Sequence, residues 1–143
     1  KIILNSSEPY FQSHLEEICR QLKVTVAFDA VAGELTGQLL AALGKGGVVF
    51  VYGSLAQERC GGISPLDLVF RDKQVTGFFL GRWLRRRGLP TVLREANRVQ
   101  KLIAGGQFQS TIQRRAGLAE AVEALRQYRD HMTAGKVLIK PGA

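Results

Sequence analysis

The sequence is poor in the residues that build metal and redox sites. Among 143 residues there are two cysteines and two histidines. Cys19 and Cys60 match no metal-binding or redox spacing, and His14 and His131 are isolated along the chain. Because a zinc site needs three or four converging ligands, the sequence predicts no metal site. It predicts instead two reduced thiols in a cytoplasmic protein.

Long apolar segments are missing too. No stretch approaches the ~18 consecutive apolar residues that suggest a membrane-spanning helix, so we expect no membrane association. The start of the chain is too short for the apolar core of a signal peptide. Residues 1–4 are predicted to form a strand instead. Because no loop precedes this strand, we expect the chain to begin inside a larger protein.

Acidic residues are scarce in one long stretch. Residues 71–115 hold eleven basic side chains and two acidic ones, a net charge of +9, so the rest of the chain adds almost nothing to the total of +8. Such a stretch attracts nucleic acid or a phosphorylated ligand, or it is a solvated face. An RNA-binding module, with Phe78, Phe79 and Trp83 stacking on bases, is therefore kept as an alternative that we do not favour.

Two apolar runs carry most of the positive information. Residues 24–31 and 47–52 are apolar almost throughout, and each ends in a turn, at Ala32-Gly33 and Gly53-Ser54. Residues 34–43 between them have leucines at helical spacing. Strand, helix and strand in this order predict a βαβ unit with two adjacent, parallel, central strands. In such sheets ligands bind at the carboxyl ends of the strands.

Asp29 is the one charged residue in the first apolar run. A buried carboxylate is costly unless it is hydrogen-bonded. This carboxylate can bond the N-terminus of the neighbouring helix, or it can bond a ligand hydroxyl, and both roles stay open here.

The remaining elements follow from periodicity and turn residues. An amphipathic helix is predicted around Phe11, Leu15, Ile18 and Leu22, and a short helix after Ser64. Further helices are predicted at 91–104 and from about residue 118, and strands at 74–80, 110–114 and 136–141.

Four segments then carry a resemblance: FDAVAG at 28–33, LGKGGVVFVYGS at 43–54, VTGFFLGRW at 75–83 and MTAGKVL at 132–138. In this order and spacing they resemble the medium-chain dehydrogenase/reductase family. The branch they resemble most is that of the zinc-independent quinone and enoyl-thioester reductases. The resemblance covers essentially the whole chain.

This resemblance implies an α/β fold, the back half of a Rossmann-type, doubly wound parallel sheet. Residues 1–143 would form a single partial cofactor-binding domain with a C-terminal return segment. The N-terminal catalytic domain and the glycine-rich, phosphate-binding turn would be absent, and indeed no G-x-G-x-x-G occurs in the chain. Without the strands that precede it in the family, the strand at 24–31 would become an exposed edge.

The resemblance also implies a cofactor, NADPH or NADH with NADPH favoured, and the residues that hold it. The turn after the second apolar run would line the nicotinamide riboside, and the backbone of a later segment would hold the carboxamide. A C-terminal lysine would reach a cofactor phosphate. In this order the residues are Tyr52, Gly53, Ser54 and Leu55; Phe78, Phe79 and Leu80; and Lys136.

The predicted function is the NAD(P)H-binding portion of an oxidoreductase that transfers hydride to a quinone or an enoyl thioester. We assign no catalytic residue to this chain and expect the isolated chain to be inactive. The predicted partners are a small-molecule substrate and a second copy of the chain, paired through the edge strand at 75–80. The alternative is a non-catalytic dimerisation or RNA-binding module that uses the basic stretch 71–115.

Overall fold

A computed structural model describes residues 2–131 and 134–141 of the protein. The chain divides into two compact units, Lys1–Arg87 and Gly88–Ala143. Each unit contains its own parallel sheet, with three strands in the first and two in the second. The assignment of both units to a single partial cofactor-binding domain stays a prediction.

The first unit alternates helices and strands. Its elements are α1 (Phe11–Gln21), β1 (Val26–Asp29), α2 (Glu34–Ala42), β2 (Val48–Val51), α3 (Pro65–Phe70), β3 (Gln74–Gly77) and α4 (Leu80–Arg86). The sheet order is β1-β2-β3, and both strand pairs are parallel. The prediction that the two apolar runs form adjacent parallel strands joined by a helix is therefore confirmed.

The prediction that both of these strands are central is wrong for β1. In this sheet β2 lies in the middle and β1 is an outer strand. Phe28 of β1 stacks on Phe50 of β2 but keeps 71% of its surface exposed. The reason is that no described residue supplies a strand on the other side of β1. The structure therefore contains the exposed edge that we expect for this strand.

The core of the first unit lies between α2 and β2. Leu40 and Leu43 pack with Val49, and all three are buried. Gly47, at the turn into β2, belongs to this packing because a Cβ there would lie 2.6 Å from the Cβ of Leu43. The turn between α2 and β2 therefore needs a glycine at this position so that the helix can approach the strand.

Two predicted strands differ from the structure. Residues 2–4 are not in a strand, since no described strand lies beside them to accept their hydrogen bonds. The strand predicted at 74–80 ends at Gly77, and the residues from Leu80 onwards form α4. The pair Phe78-Phe79 has high strand propensity, but the Leu and Arg residues that follow favour a helix.

The second unit contains two α-helices and one pair of parallel strands. Its elements are α5 (Leu89–Ala104), β4 (Ile112–Gly117), a short 3-10 helix (Leu118–Glu120), α6 (Ala121–Asp130) and β5 (Lys136–Lys140). Ala116 of β4 and Ala124 of α6 are buried. The strand predicted at 110–114 is thus shifted towards the C-terminus. In the fourth family-like segment, Met132 and Thr133 lie outside the described residues.

No helix in the described part of the chain combines the length and the apolar character needed to cross a bilayer.

A buried lysine links three elements of the first unit. Lys73, just before β3, is 3% exposed. Its Nζ donates to the carbonyl oxygens of Leu40 and Ala41 in the last turn of α2, both at 2.9 Å. It also lies 2.9 Å from Oδ1 of Asp67 on α3. A cation at the C-terminus of a helix satisfies carbonyl groups that the helix leaves without partners.

Replacing Lys73 by methionine should destabilise the protein by about 3 kcal/mol, because it removes a hydrogen bond from each of two α2 carbonyls and leaves the buried Asp67 carboxylate only the longer contact with the exposed Arg71, at 3.4 Å. The measurement is urea denaturation followed by circular dichroism. Lys45→Met is the matched control, since Lys45 pairs with Asp72 at 3.7 Å in an exposed position. It should cost less than about 1 kcal/mol. Equal losses in the two variants would contradict this account of Lys73.

The outer strand β3 generates a prediction about assembly. Gln74 and Phe78 donate their N–H groups to carbonyls at the ends of β2. Because N–H groups alternate in direction along a strand, those of Val75 and Gly77 point away from β2. We expect these groups to pair with a second copy of the chain, which gives a homodimer in light scattering.

Gly77→Pro removes one outward N–H group and should shift the particle to a monomer. Gly77→Ala is the control, because it keeps the N–H and its Cβ would meet no atom within 4 Å. A wild-type particle that is monomeric at every concentration would rule out the dimer.

Candidate functional site

Three strand ends in the first unit lie in register. Asp29, the last residue of β1, pairs with Val51 at the end of β2, and Val51 pairs with Gly77 at the end of β3. Because the strands are parallel, the segments that follow them begin at one edge of the sheet. Residues 52–55 and 78–80, predicted from the sequence as parts of one binding site, are therefore brought to the same edge.

Backbone hydrogen bonds tie the turn after β2 to the turn after β1. The N–H of Tyr52 donates to the carbonyl of Asp29 at 2.9 Å, and the N–H of Leu55 donates to that of Ala30 at 3.2 Å. A Cβ on Gly53 would lie 2.6 Å from the carbonyl oxygen of Ala30. Gly53 is thus required for the close approach of two backbone segments, whatever ligand binds above them.

Only some of the backbone groups in the segment after β3 form hydrogen bonds within the chain. The N–H of Phe78 donates to the carbonyl of Val51, and the carbonyl of Phe79 accepts from Arg82 and Trp83 at the start of α4. Within residues 2–131 and 134–141, the carbonyl of Phe78 and the N–H groups of Phe79 and Leu80 have no partner. The Phe78 carbonyl and the Phe79 N–H belong to one trans peptide group and point in opposite directions. Because the backbone of Phe79 is extended, the Phe78 carbonyl and the Leu80 N–H point to the same side, and this acceptor and donor match a primary carboxamide, which both donates and accepts. The predicted role of Phe78–Leu80 therefore narrows to these two groups.

Apolar side chains stand exposed along this edge. Tyr52 and Leu55 follow β2, and Phe79 and Leu80 follow β3, each with more than half of its surface accessible. Ser54 is exposed between them. Large exposed apolar groups concentrated at one edge are typical of a surface that contacts a ligand or another protein segment.

The carboxylate of Asp29 holds the turn that starts α2. Its Oδ1 accepts from the N–H groups of Val31 and Ala32 at 2.8 and 3.0 Å, and its Oδ2 accepts from the hydroxyl of Thr36 at 2.7 Å. Asp29 is 1% exposed. Of the two roles left open by the sequence, the structure shows the bond to the helix N-terminus and leaves no exposed carboxylate for a ligand hydroxyl.

Sequence reasoning missed how the glycines at 61 and 62 contribute. The loop that contains them passes over α2, where a Cβ on Gly37 would lie 2.3 Å from the carbonyl carbon of Gly62. The N–H of Gly61 donates to the carbonyl of Gly33 at 3.0 Å. The sequence contains both features, a Gly-Gly pair and a glycine within a helix, but nothing in the sequence indicates that they meet.

Lys136 lies in the second unit, on β5. Its Nζ donates to the hydroxyl of Tyr128 at 2.9 Å and stands 5.4 Å from the centre of that ring. The remaining predicted site residues all lie in the first unit. The role of Lys136 towards a cofactor phosphate stays a prediction, and Tyr128 is a contact that the sequence did not suggest.

The two cysteines differ in exposure. Cys19 is buried, and burial raises the pKa of its thiol, which keeps the thiol protonated at neutral pH. Cys60 is exposed. In the part of the chain that the structure describes, no group of three potential metal ligands converges.

With this geometry in hand, the comparison with protein families is decisive. The family model for zinc-binding dehydrogenases matches residues 3–139. The chain belongs to this family. Its α/β fold with parallel sheets is that of the nucleotide-binding, C-terminal half of medium-chain dehydrogenases/reductases. No curated protein matches the sequence.

Solved structures agree on the fold. A protein named provisionally as an NADPH:quinone reductase from Mesorhizobium loti is 27% identical, with a TM-score of 0.81 over 96% of this chain and 39% of that chain. A mutant enoyl thioester reductase from Candida tropicalis is 15% identical, with a TM-score of 0.72 over 93% and 37%. CurA from Vibrio vulnificus, solved in complex with NADPH, is 17% identical, with a TM-score of 0.70 over 98% and 43%. The chain thus spans about two fifths of the length of these proteins.

The Asp29 turn leads to a prediction about stability. Thr36→Val removes the hydroxyl that bonds Oδ2 of Asp29 and should cost about 1–3 kcal/mol, the penalty for leaving a buried polar group without a partner. Thermal and urea denaturation measure the loss. Thr25→Val makes the same chemical change at an exposed position and should stay within about 0.5 kcal/mol of the wild type. A neutral Thr36→Val would mean that the hydroxyl bond contributes nothing net.

Proposed function

We propose that this chain is the NAD(P)H-binding portion of an oxidoreductase that transfers hydride to a quinone or an enoyl thioester. One observation carries the proposal. In a chain of the zinc-binding dehydrogenase family, Tyr52–Leu55 and the unpartnered groups of Phe78 and Leu80 lie at the carboxyl edge of one parallel sheet. This is where α/β sheets bind nucleotides.

The role of each group in the site follows from its chemistry. The nicotinamide ring supplies the hydride when the cofactor is bound. The carbonyl of Phe78 and the N–H of Leu80 would bind the carboxamide and fix the orientation of the ring. The exposed apolar side chains beside them, Tyr52 and Leu55, would cover the ring and ribose and exclude water. No residue of this chain is assigned a proton-transfer role.

The similar structures support this choice of cofactor and substrate class. The Candida tropicalis protein is an enoyl thioester reductase, the Mesorhizobium loti protein is named provisionally as a quinone reductase, and the Vibrio vulnificus protein was solved with NADPH. NADPH is therefore favoured over NADH as the cofactor, and both substrate classes remain in the proposal.

NADPH should bind this chain weakly, with a dissociation constant of about 1 mM, close to −4 kcal/mol. The reason is that the sequence has no G-x-G-x-x-G turn to hold the pyrophosphate at a helix N-terminus. The measurement is a titration of the ¹⁵N-labelled chain followed by NMR. The amide signals of residues 53–55 and of Leu80 should shift, while those of the turn at 44–47, at the opposite edge, should not.

Tyr52→Ala should reduce the NADPH affinity about three- to tenfold, as expected for the loss of one aromatic contact. Tyr10→Ala is the matched control, because Tyr10 is also an exposed tyrosine of the first unit but lies before α1. Sub-micromolar binding would contradict the proposed division of the cofactor site, and shifts confined to residues 44–47 would place the site elsewhere.

A further inference from the structure

Helix α4 carries a group of arginines that the proposed cofactor site does not use. Arg82, Arg85 and Arg86 lie on the helix, and Arg87 caps its C-terminus. Within residues 2–131 and 134–141 none of the four forms an ion pair with a carboxylate. Other basic residues of the same stretch do have such partners, for example Lys73 with Asp67. Arginines this close together repel one another, so the group favours an anion from outside the chain.

Three of these arginines line a small cavity at the end of β3. Its volume is about 290 Å³, and its walls are Arg82, Arg86 and Arg87 together with the rings of Phe78, Phe79 and Trp83. Arg82 and Arg86 are four residues apart and share a face of the helix, as do Trp83 and Arg87. Arg85 points to none of these walls, although it belongs to the same helix.

Aromatic packing fixes the shape of this cavity. The guanidinium of Arg87 lies over the ring of Trp83, 5.4 Å from its centre, in the geometry of a cation–π pair. The ring of Phe79 lies against Gly81, where an added Cβ would be 2.9 Å from a ring atom. Arg87 is therefore held in place before any ligand arrives, which lowers the entropy lost on binding.

Three arginines beside aromatic rings select a particular chemistry. Guanidinium groups bind phosphate oxygens through paired N–H groups, and Arg82, Arg86 and Arg87 are exposed, so these groups can meet a ligand that arrives from solvent. A volume of about 290 Å³ lies at the small end of ligand cavities, which run from about 300 to 1,000 Å³. It suits one phosphoryl or pyrophosphoryl group rather than a whole nucleotide.

We propose that this cavity binds the phosphoryl group of a phosphorylated small molecule. The cavity adjoins Phe78, whose carbonyl is assigned above to the nicotinamide carboxamide. This further step rests on the proposed function. If that function holds, the phosphoryl group belongs to the substrate. A substrate with a phosphoryl group would be a phosphorylated thioester, such as one of coenzyme A, and not a quinone.

An RNA ligand fits the same residues less well. Stacking of bases needs open aromatic faces. Here Arg87 covers one face of Trp83 and the Trp83 side chain is half-buried, which leaves Phe79, at 61%, as the most exposed ring. One well exposed ring is a poor platform for a strand of stacked bases.

The test uses Trp83, the only tryptophan in the sequence, as a reporter inside the cavity. Its fluorescence is followed while inorganic pyrophosphate is added to the full 143-residue chain at constant ionic strength. We expect a saturable change. Arg86→Gln should weaken pyrophosphate binding about tenfold, because it removes a charged hydrogen-bond donor. Arg85→Gln removes the same charge from the same helix and should change the affinity less than about twofold.

Two competitors identify the source of the phosphoryl group. Coenzyme A displacing pyrophosphate at lower concentration than NADPH assigns the group to the substrate. The reverse order assigns it to the cofactor, and in both cases the cavity is a phosphoryl site. A rise in melting temperature with pyrophosphate, reduced by Arg86→Gln, is the second measurement and does not depend on fluorescence.

Three results would overturn the proposal: no saturable fluorescence change with pyrophosphate, equal weakening by Arg85→Gln and Arg86→Gln, or displacement by single-stranded RNA at lower concentration than by either small molecule. The equal weakening would mean a diffuse field of charge without a site. Because the pyrophosphate titration contains no NADPH, its failure is distinguishable from a failure of the NADPH titration described above.

Discussion

Helix α2 is held at its two ends by buried charges of opposite sign, and much of the first unit depends on this arrangement. The Asp29 carboxylate lies at the positive end of the helix dipole and the Lys73 ammonium at the negative end. Asp29 is the last residue of β1, and Lys73 directly precedes β3. The helix is thereby fixed along its own axis, and the core formed by Leu40, Leu43 and Val49 can form in only one register.

The order of strands and helices in the first unit could be predicted because it depends on local patterns. Two apolar runs separated by a helical repeat specify β1, α2 and β2 to within about two residues at each end. What could not be predicted depends on contacts distant in sequence. Lys73 looks like one more member of a basic stretch until the structure places it against Leu40 and Ala41, more than thirty residues away. Similarly, residues 2–4 have the composition of a strand but no described neighbour.

The candidate site was predictable in part for the same reason. Residues 52–55 and 78–80 could be chosen because a parallel sheet brings the segments after its strands to one edge. The sequence could not say which backbone groups already form hydrogen bonds within the chain, and these bonds reduce the second segment to the Phe78 carbonyl and the Leu80 N–H. Nor could it predict α4: the Phe78-Phe79 pair favours a strand, and only the loss of strand pairing after Gly77 lets the arginine-rich residues form a helix.

The close approach of Gly53 to Ala30 has a consequence for how the family can diversify. Three N–H groups, of Tyr52, Leu55 and Ala56, join the turn after β2 to the residues that end β1 or follow it, so the two turns form a single rigid backbone unit. The shape of this unit depends on main-chain atoms and one glycine, while Tyr52, Ser54 and Leu55 point their side chains to the exterior. Side chains at these three positions can therefore change without altering the backbone frame. The same frame can be retained in proteins of low sequence identity while the surface that it presents is rebuilt.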